Sequence, residues 1–185
     1  LKTNGLISEN IGELNKQELI DILIHKDIDL QVQNYEEDIV KETIQNILQL
    51  RGIQEKNGEE GCNRYVISNS ESVFSVLFVY GLFRWCGWES DKITFDIIPL
   101  FETMKGMESS ENTMNELFDL PEYKKHLAQR HNKQTIMLGF SDGTKDGGYV
   151  KANWEIFKTK EKLSAVCDRN DIKAIFFDGR GGPPA

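Results

Sequence analysis

The sequence predicts an α/β fold, part of a TIM-type (β/α) barrel with about four parallel strands, and three observations predict it. Four short apolar runs, Arg64 to Ser68, Phe95 to Leu100, Ile136 to Phe140 and Ile172 to Phe177, have the length of buried strands. Each is separated from the next by enough residues for at least one helix, and strands joined in that way run parallel. Three of the four end in residues suited to an anionic or metal-bound ligand: Glu102, then Asp142 with Lys145, then Arg180 between glycines. In a (β/α) barrel these ends share the face on which active sites lie. Residues 1–185 read as a single partial domain, with a helical lead-in and an acidic, glycine-containing loop over 1–60 and the units of an incomplete barrel over 61–185.

Residues 1–13 carry Gly and Asn with little periodicity and read as a joining loop. A helix is expected from Asn15, because Asn15 and Glu18 have capping-box spacing and Leu19, Ile22 and Leu23 mark an apolar face. Asn34 and Glu37 repeat that spacing before Ile39, Val40, Ile44, Ile47 and Leu48. Gln54 to Gly61, rich in Glu, Lys and Gly, is the expected loop and the expected site of disorder. Ser70 or Ser72 can cap a helix through Val73, Phe74, Val76, Leu77, Phe78, Val79, Leu82 and Phe83, which is apolar on nearly every side and must be covered. A helix through Met114, Leu117 and Phe118 is expected from Ser109 or Ser110, and Pro121 suits the first position of the next. The longest helix should run from near Lys145 towards Arg169, with Val150, Trp154 and Phe157 continuing into Leu163, Val166 and Cys167 as its apolar side.

The chain of 185 residues falls within the size of one domain, and its net charge of -8 argues against nucleic acid or an anionic membrane as partner. The three cysteines lack CxxC spacing and suggest neither a disulfide framework nor a zinc site, which fits a reducing cytoplasm. Residues 72–85 are very apolar but fall short of the roughly 20 residues of a membrane span, so a buried helix is expected. No secretory signal is evident at the start. Opening on Leu1 and closing on Pro183-Pro184-Ala185 just past a glycine-rich motif, the chain reads as a piece excised from something longer.

Each candidate residue also has an ordinary explanation. Glu102 could be a solvated loop residue or a helix cap; with Asp142 it becomes one of two carboxylates converging on a point, a donor set for Mg²⁺ or Mn²⁺. Lys145 could be the solvated first turn of its helix. Gly179-Arg180-Gly181-Gly182 could be only a turn, yet an arginine fork between glycines at a strand end can hold phosphate bidentately while backbone amides approach. His25, His126 and His131 lie on polar helical stretches away from every motif and are given no function. Trp85, Trp88 and Trp154 read as core or interface aromatics.

Three stretches carry a resemblance. Phe-Asp-Ile-Ile-Pro-Leu-Phe-Glu-Thr over 95–103, Leu-Gly-Phe-Ser-Asp-Gly-Thr-Lys-Asp-Gly-Gly over 138–148 and Phe-Phe-Asp-Gly-Arg-Gly-Gly over 176–182, in that order, resemble phosphoenolpyruvate carboxylase. The resemblance extends through Tyr65-Val-Ile-Ser68 and more loosely through the amino-terminal helices. It implies that bicarbonate attacks the phosphate of phosphoenolpyruvate to give carboxyphosphate and an enolate, and that the enolate captures carbon dioxide to form oxaloacetate. It places Mg²⁺ or Mn²⁺ on Glu102 and Asp142, bicarbonate at Lys145, and phosphate or carboxyphosphate at Arg180 with Gly181 and Gly182. It further implies a cytoplasmic homo-oligomer several times longer than this chain. The family's upstream Thr-Ala-His-Pro motif and second arginine-glycine loop are absent, so the piece alone is expected to be inactive. Gly143 stands where the family usually has Ser, and Asp178 where many members have His, so neither partner's hydrogen bonding carries over. Two rival readings are a non-catalytic metal- or phosphate-binding or assembly module, and another magnesium-dependent enolate enzyme on the same fold.

Overall fold

A computed structural model describes residues 14–139 and 148–179. Among these residues four strands form one parallel sheet: β1 (Arg64–Ile67), β2 (Asp96–Phe101), β3 (Lys133–Gly139) and β4 (Lys173–Gly179), in that spatial order. Six α-helices accompany them: α1 (Lys16–His25), α2 (Asp38–Asn57), α3 (Val73–Trp85), α4 (Met104–Asp119), α5 (Pro121–Gln129) and α6 (Tyr149–Arg169). The α/β class with parallel strands is therefore as expected. Register runs from Arg64 opposite Asp96, through Leu100 opposite Met137, to Gly139 opposite Gly179. Because all pairs are parallel and neighbours in sequence are neighbours in the sheet, every strand delivers its carboxyl end to the same edge.

The described residues separate into two compact units. One runs to Asn63 and also takes in Leu77–Thr94; the other holds Arg64–Val76 and the chain from Phe95 onward.

In the first unit the predicted capping box at α1 is present: the Glu18 amide donates to Asn15 Oδ1 at 3.0 Å, and the Asn15 amide donates to Glu18 Oε2 at 2.8 Å. At the other end, the carbonyls that a helix leaves without partners are taken up by Arg84, whose guanidinium donates to Ile24 O and pairs with Asp27 at 2.9 Å. Asn34, by contrast, does not cap α2. It lies in a 3₁₀ turn, Val32–Asn34, closed by the Tyr35 amide, and the helix starts only at Asp38 after an extended Glu37. The buried stripe of α2 is Ile44, Ile47 and Leu50, with Ile39 and Leu48 exposed. The loop expected at Gln54 also begins later. Gln54 stays helical, with its amide donating to Cys62 O and accepting from Thr94 Oγ1, both at 2.6 Å; the helix stops at Gly58, whose φ of 79° an L-residue seldom adopts.

In the second unit α4 begins five residues before Ser109. Thr103 caps it, its hydroxyl accepting from the Gly106 amide at 2.9 Å. Ser109 and Ser110 sit inside the helix because their hydroxyls donate to the carbonyls of Gly106 and Met107 three residues back. Pro121 does open α5. The described part of α6 starts at Tyr149, and its apolar side is the expected one in its carboxyl half but not in its amino half. Val150, Trp154 and Phe157 are exposed, at 80%, 58% and 57%, whereas Ala152, Ile156, Thr159, Leu163, Val166 and Cys167 are buried. Two stripes share helical spacing, and the one with small Ala152 and Thr159 allows close packing against α4 and β4.

Near the amino ends of the strands lies a buried polar cluster. Arg130 pairs with Asp96 at 2.6 Å, Tyr123 donates to Gln134 Oε1 at 2.9 Å, and Gln134 Nε2 donates to Ile97 O at 3.1 Å. His126, expected on a polar stretch, is 1% exposed there. The cluster is at the opposite end of the sheet from the strand ends that carry the motifs, where such groups serve stability.

Candidate active site at the carboxyl ends of the strands

Glu102 is the residue after β2, and the one before the Thr103 cap of α4. A strand end and a helix start therefore fix its backbone from both sides. Its carboxylate accepts a hydrogen bond at Oε1 from the backbone amide of Asn69, 2.9 Å away in the turn after β1. Asn69 has φ of 50°, in the left-handed region that asparagine tolerates better than most residues. The next amide, Ser70, donates to Leu100 O at 3.0 Å. Glu71 completes the link, pairing with Lys105 in the first turn of α4 at 2.5 Å while its carbonyl accepts from Ser109 Oγ at 3.1 Å. The lysine's hydrogen bond holds the Glu71 carboxyl below its ordinary pKa.

On the other side, β3 ends at Gly139 directly against Glu102. A Cβ at residue 139 would lie 2.4 Å from Glu102 Cβ and 2.9 Å from its Cα, so only glycine fits. Gly179, opposite Gly139 in register, is less confined: a Cβ there would fall 2.8 Å from the Met137 methyl, the movable end of a flexible side chain, and 3.3 Å from Leu138 O. β3 thus ends in glycine because its neighbour comes too close for a side chain.

Asp142, Lys145, Arg180, Gly181 and Gly182 lie outside the described residues. In sequence Asp142 follows Gly139 by three positions and Arg180 follows Gly179 directly. Asp178 is described. Its carboxylate pairs with Lys160 of α6 at 2.6 Å, and the same lysine lies 5.9 Å over the Phe176 ring, so Asp178 faces the helix layer. Asn69 and Gly139 were not picked out by sequence. The available signals were an Asn just past a strand, suited to left-handed backbone, and a Gly closing one.

The described residues supply one donor of the kind a divalent cation takes. The Glu102 carboxylate is a hard oxygen donor at a strand end, oriented through one oxygen by an amide rather than neutralised by a cation among the described residues. Among those residues no group of three or more His, Cys, Asp or Glu side chains converges, so further oxygens would have to come from elsewhere.

The described residues define the class as α/β, with a parallel sheet that carries the Glu102 carboxylate at the carboxyl ends of its strands. The family profile described as phosphoenolpyruvate carboxylase matches residues 7–183, and the chain belongs to that family. It is 41% identical over 134 residues to the phosphoenolpyruvate carboxylase of Nitrosomonas europaea, covering 70% of this chain and 14% of that protein. The enzyme of the same name from Nitrosomonas eutropha is 42% identical over 134 residues, with the same coverage, and that from Gloeobacter violaceus 34% over 145 residues, or 77% of this chain and 15% of the relative. The chain therefore spans about one seventh of the length of these relatives, 14–15%.

Proposed function

We propose that the whole protein of which this chain is part joins bicarbonate to phosphoenolpyruvate, releasing oxaloacetate and phosphate. The observation that carries the reading is the convergence of parallel strand ends, with Glu102 already oriented on the edge to which the loops of Asp142, Lys145 and Arg180 are attached. Glu102 and Asp142 would hold Mg²⁺ or Mn²⁺, which when bound supplies positive charge where the enolate oxygen develops its negative charge. Lys145 holds bicarbonate as a compact point charge. Arg180 grips the phosphoryl oxygens with its planar fork, while Gly181 and Gly182 let backbone amides approach.

The sheet is read as part of a (β/α) barrel within one domain. Support comes from β4, an edge strand among the described residues, which leaves Ile175 38% and Phe177 55% exposed on the face away from α6, a face that the strands across a closed barrel would cover. The enzyme is read as a cytoplasmic homo-oligomer that binds neither nucleic acid nor membrane; no described helix is long and apolar enough to cross a membrane. The 185-residue chain alone should be inactive.

The test is a coupled assay on the whole protein, following NADH loss as malate dehydrogenase reduces oxaloacetate. Turnover should require bicarbonate and a divalent cation, and Arg180→Lys should slow it on the order of a hundredfold, since one charge-assisted contact to the transition state is lost. Full turnover by that variant at saturating substrate would make Arg180 a turn residue, and oxaloacetate formed without bicarbonate would end the carboxylase reading.

A further inference from the structure

We infer that Asn69 is a positioning residue for Glu102, holding one carboxylate oxygen through its backbone so that the other is presented at the strand ends. The inference rests on the metal role of Glu102 proposed above. In an extended strand successive amides point to opposite sides. After β1 they do not: the Asn69 amide reaches Glu102 Oε1 at 2.9 Å and the Ser70 amide reaches Leu100 O at 3.0 Å, so consecutive donors both meet the end of β2. The left-handed backbone at Asn69, φ 50°, lies between those donors and turns the second towards the first.

The orientation is closed from the other side. Gly139 leaves no room for the Glu102 stem to swing towards β3, since even a methyl there would come within 2.4 Å of its Cβ. The carboxylate is thus held by an amide on β1's turn and its stem is confined by the close approach of β3, while Thr103 pins the backbone that follows it. Partners that orient a ligand in this way typically change metal affinity by ten- to a hundredfold when removed.

The position selects for backbone conformation, so substitutions can separate the backbone from the side chain. Gly tolerates φ near 50° and retains the amide, whereas β-branched Val resists it. The experiment uses the 185-residue chain, with Mn²⁺ as probe, water proton relaxation and amide line broadening for affinity, and amide hydrogen exchange without metal as an independent readout. Asn69→Val should weaken Mn²⁺ binding about tenfold, and Asn69→Gly should keep it within about twofold. In the metal-free chain the Asn69 amide should be protected and lose protection in Glu102→Ala, a result that does not depend on the Asn69 variants folding. Equal affinity for Asn69→Val and the parent, equal weakening in both Asn69 variants, or exchange at Asn69 indifferent to Glu102→Ala would each overturn the positioning role. If Mn²⁺ has no effect at Glu102, or Glu102→Gln leaves the affinity unchanged, the metal reading itself falls and takes the inference with it.

Discussion

Acidification should destabilise this protein through His126. The imidazole is 1% exposed, and burial, helped by the Arg130 guanidinium, pushes its pKa down from 6.5 to about 4 against the opposing pull of Asp96. Above the unfolded value the ring is neutral in both states and its contribution is fully present. As pH falls below it, the unfolded chain takes up a proton that the folded one refuses, so stability declines until the folded group also titrates. With those values the loss between about pH 7 and pH 5 is about 2 kcal/mol, approaching 1.4 kcal/mol per pH unit at its steepest. Urea unfolding followed by far-ultraviolet circular dichroism would measure it, in the parent and in His126→Gln. Carboxylates titrate in both proteins, so the difference between the two pH dependences isolates the histidine. Parallel dependences would refute the reasoning, as would an imidazole that titrates near its ordinary value by nuclear magnetic resonance.

Thr103→Ala removes the hydroxyl that accepts from the Gly106 amide, and should cost about 1 kcal/mol in the same unfolding experiment; an unchanged midpoint would mean that water replaces the cap. Gly139→Ala should cost about 1–3 kcal/mol, because the added methyl meets the stem and backbone of Glu102 rather than a flexible side-chain end. Glu102→Gly in the same chain should recover part of that loss, and if it recovers none the strain lies elsewhere.

Strand positions were legible because each strand contains a short apolar stretch bounded by polar or glycine residues, and every observed strand overlaps its expected range. The first cap was legible for a similar reason: Asn15 and Glu18 satisfy each other locally, without help from distant residues. Asn34 and Glu37 have the same spacing and fail, since the chain there is committed to a 3₁₀ turn and Tyr35 is buried beside it. His126 looked polar because its neighbours in sequence are Lys124, Lys125, Gln129 and Arg130, yet it sits on the inward side of its helix. Glu102 could be chosen from sequence, but the amide that holds it could not, because Asn69 and Glu102 are 33 residues apart.

The sequence by itself determined the alternation of strands and helices, the parallel sheet that follows from it, and the order of the three strand-end motifs, since these depend on local periodicity and on the connection lengths. Tertiary structure alone decided which of two equally spaced stripes in the amino half of α6 is buried, the expected Leu163, Val166 and Cys167 being buried in its carboxyl half. Trp154 and Phe157 are the more apolar choice, but Ala152 and Thr159 permit the closer approach, and the helix turns that way. It also decided why Gly139 must be glycine: the requirement comes from the approach of Glu102 on another strand, a distance that no local pattern encodes.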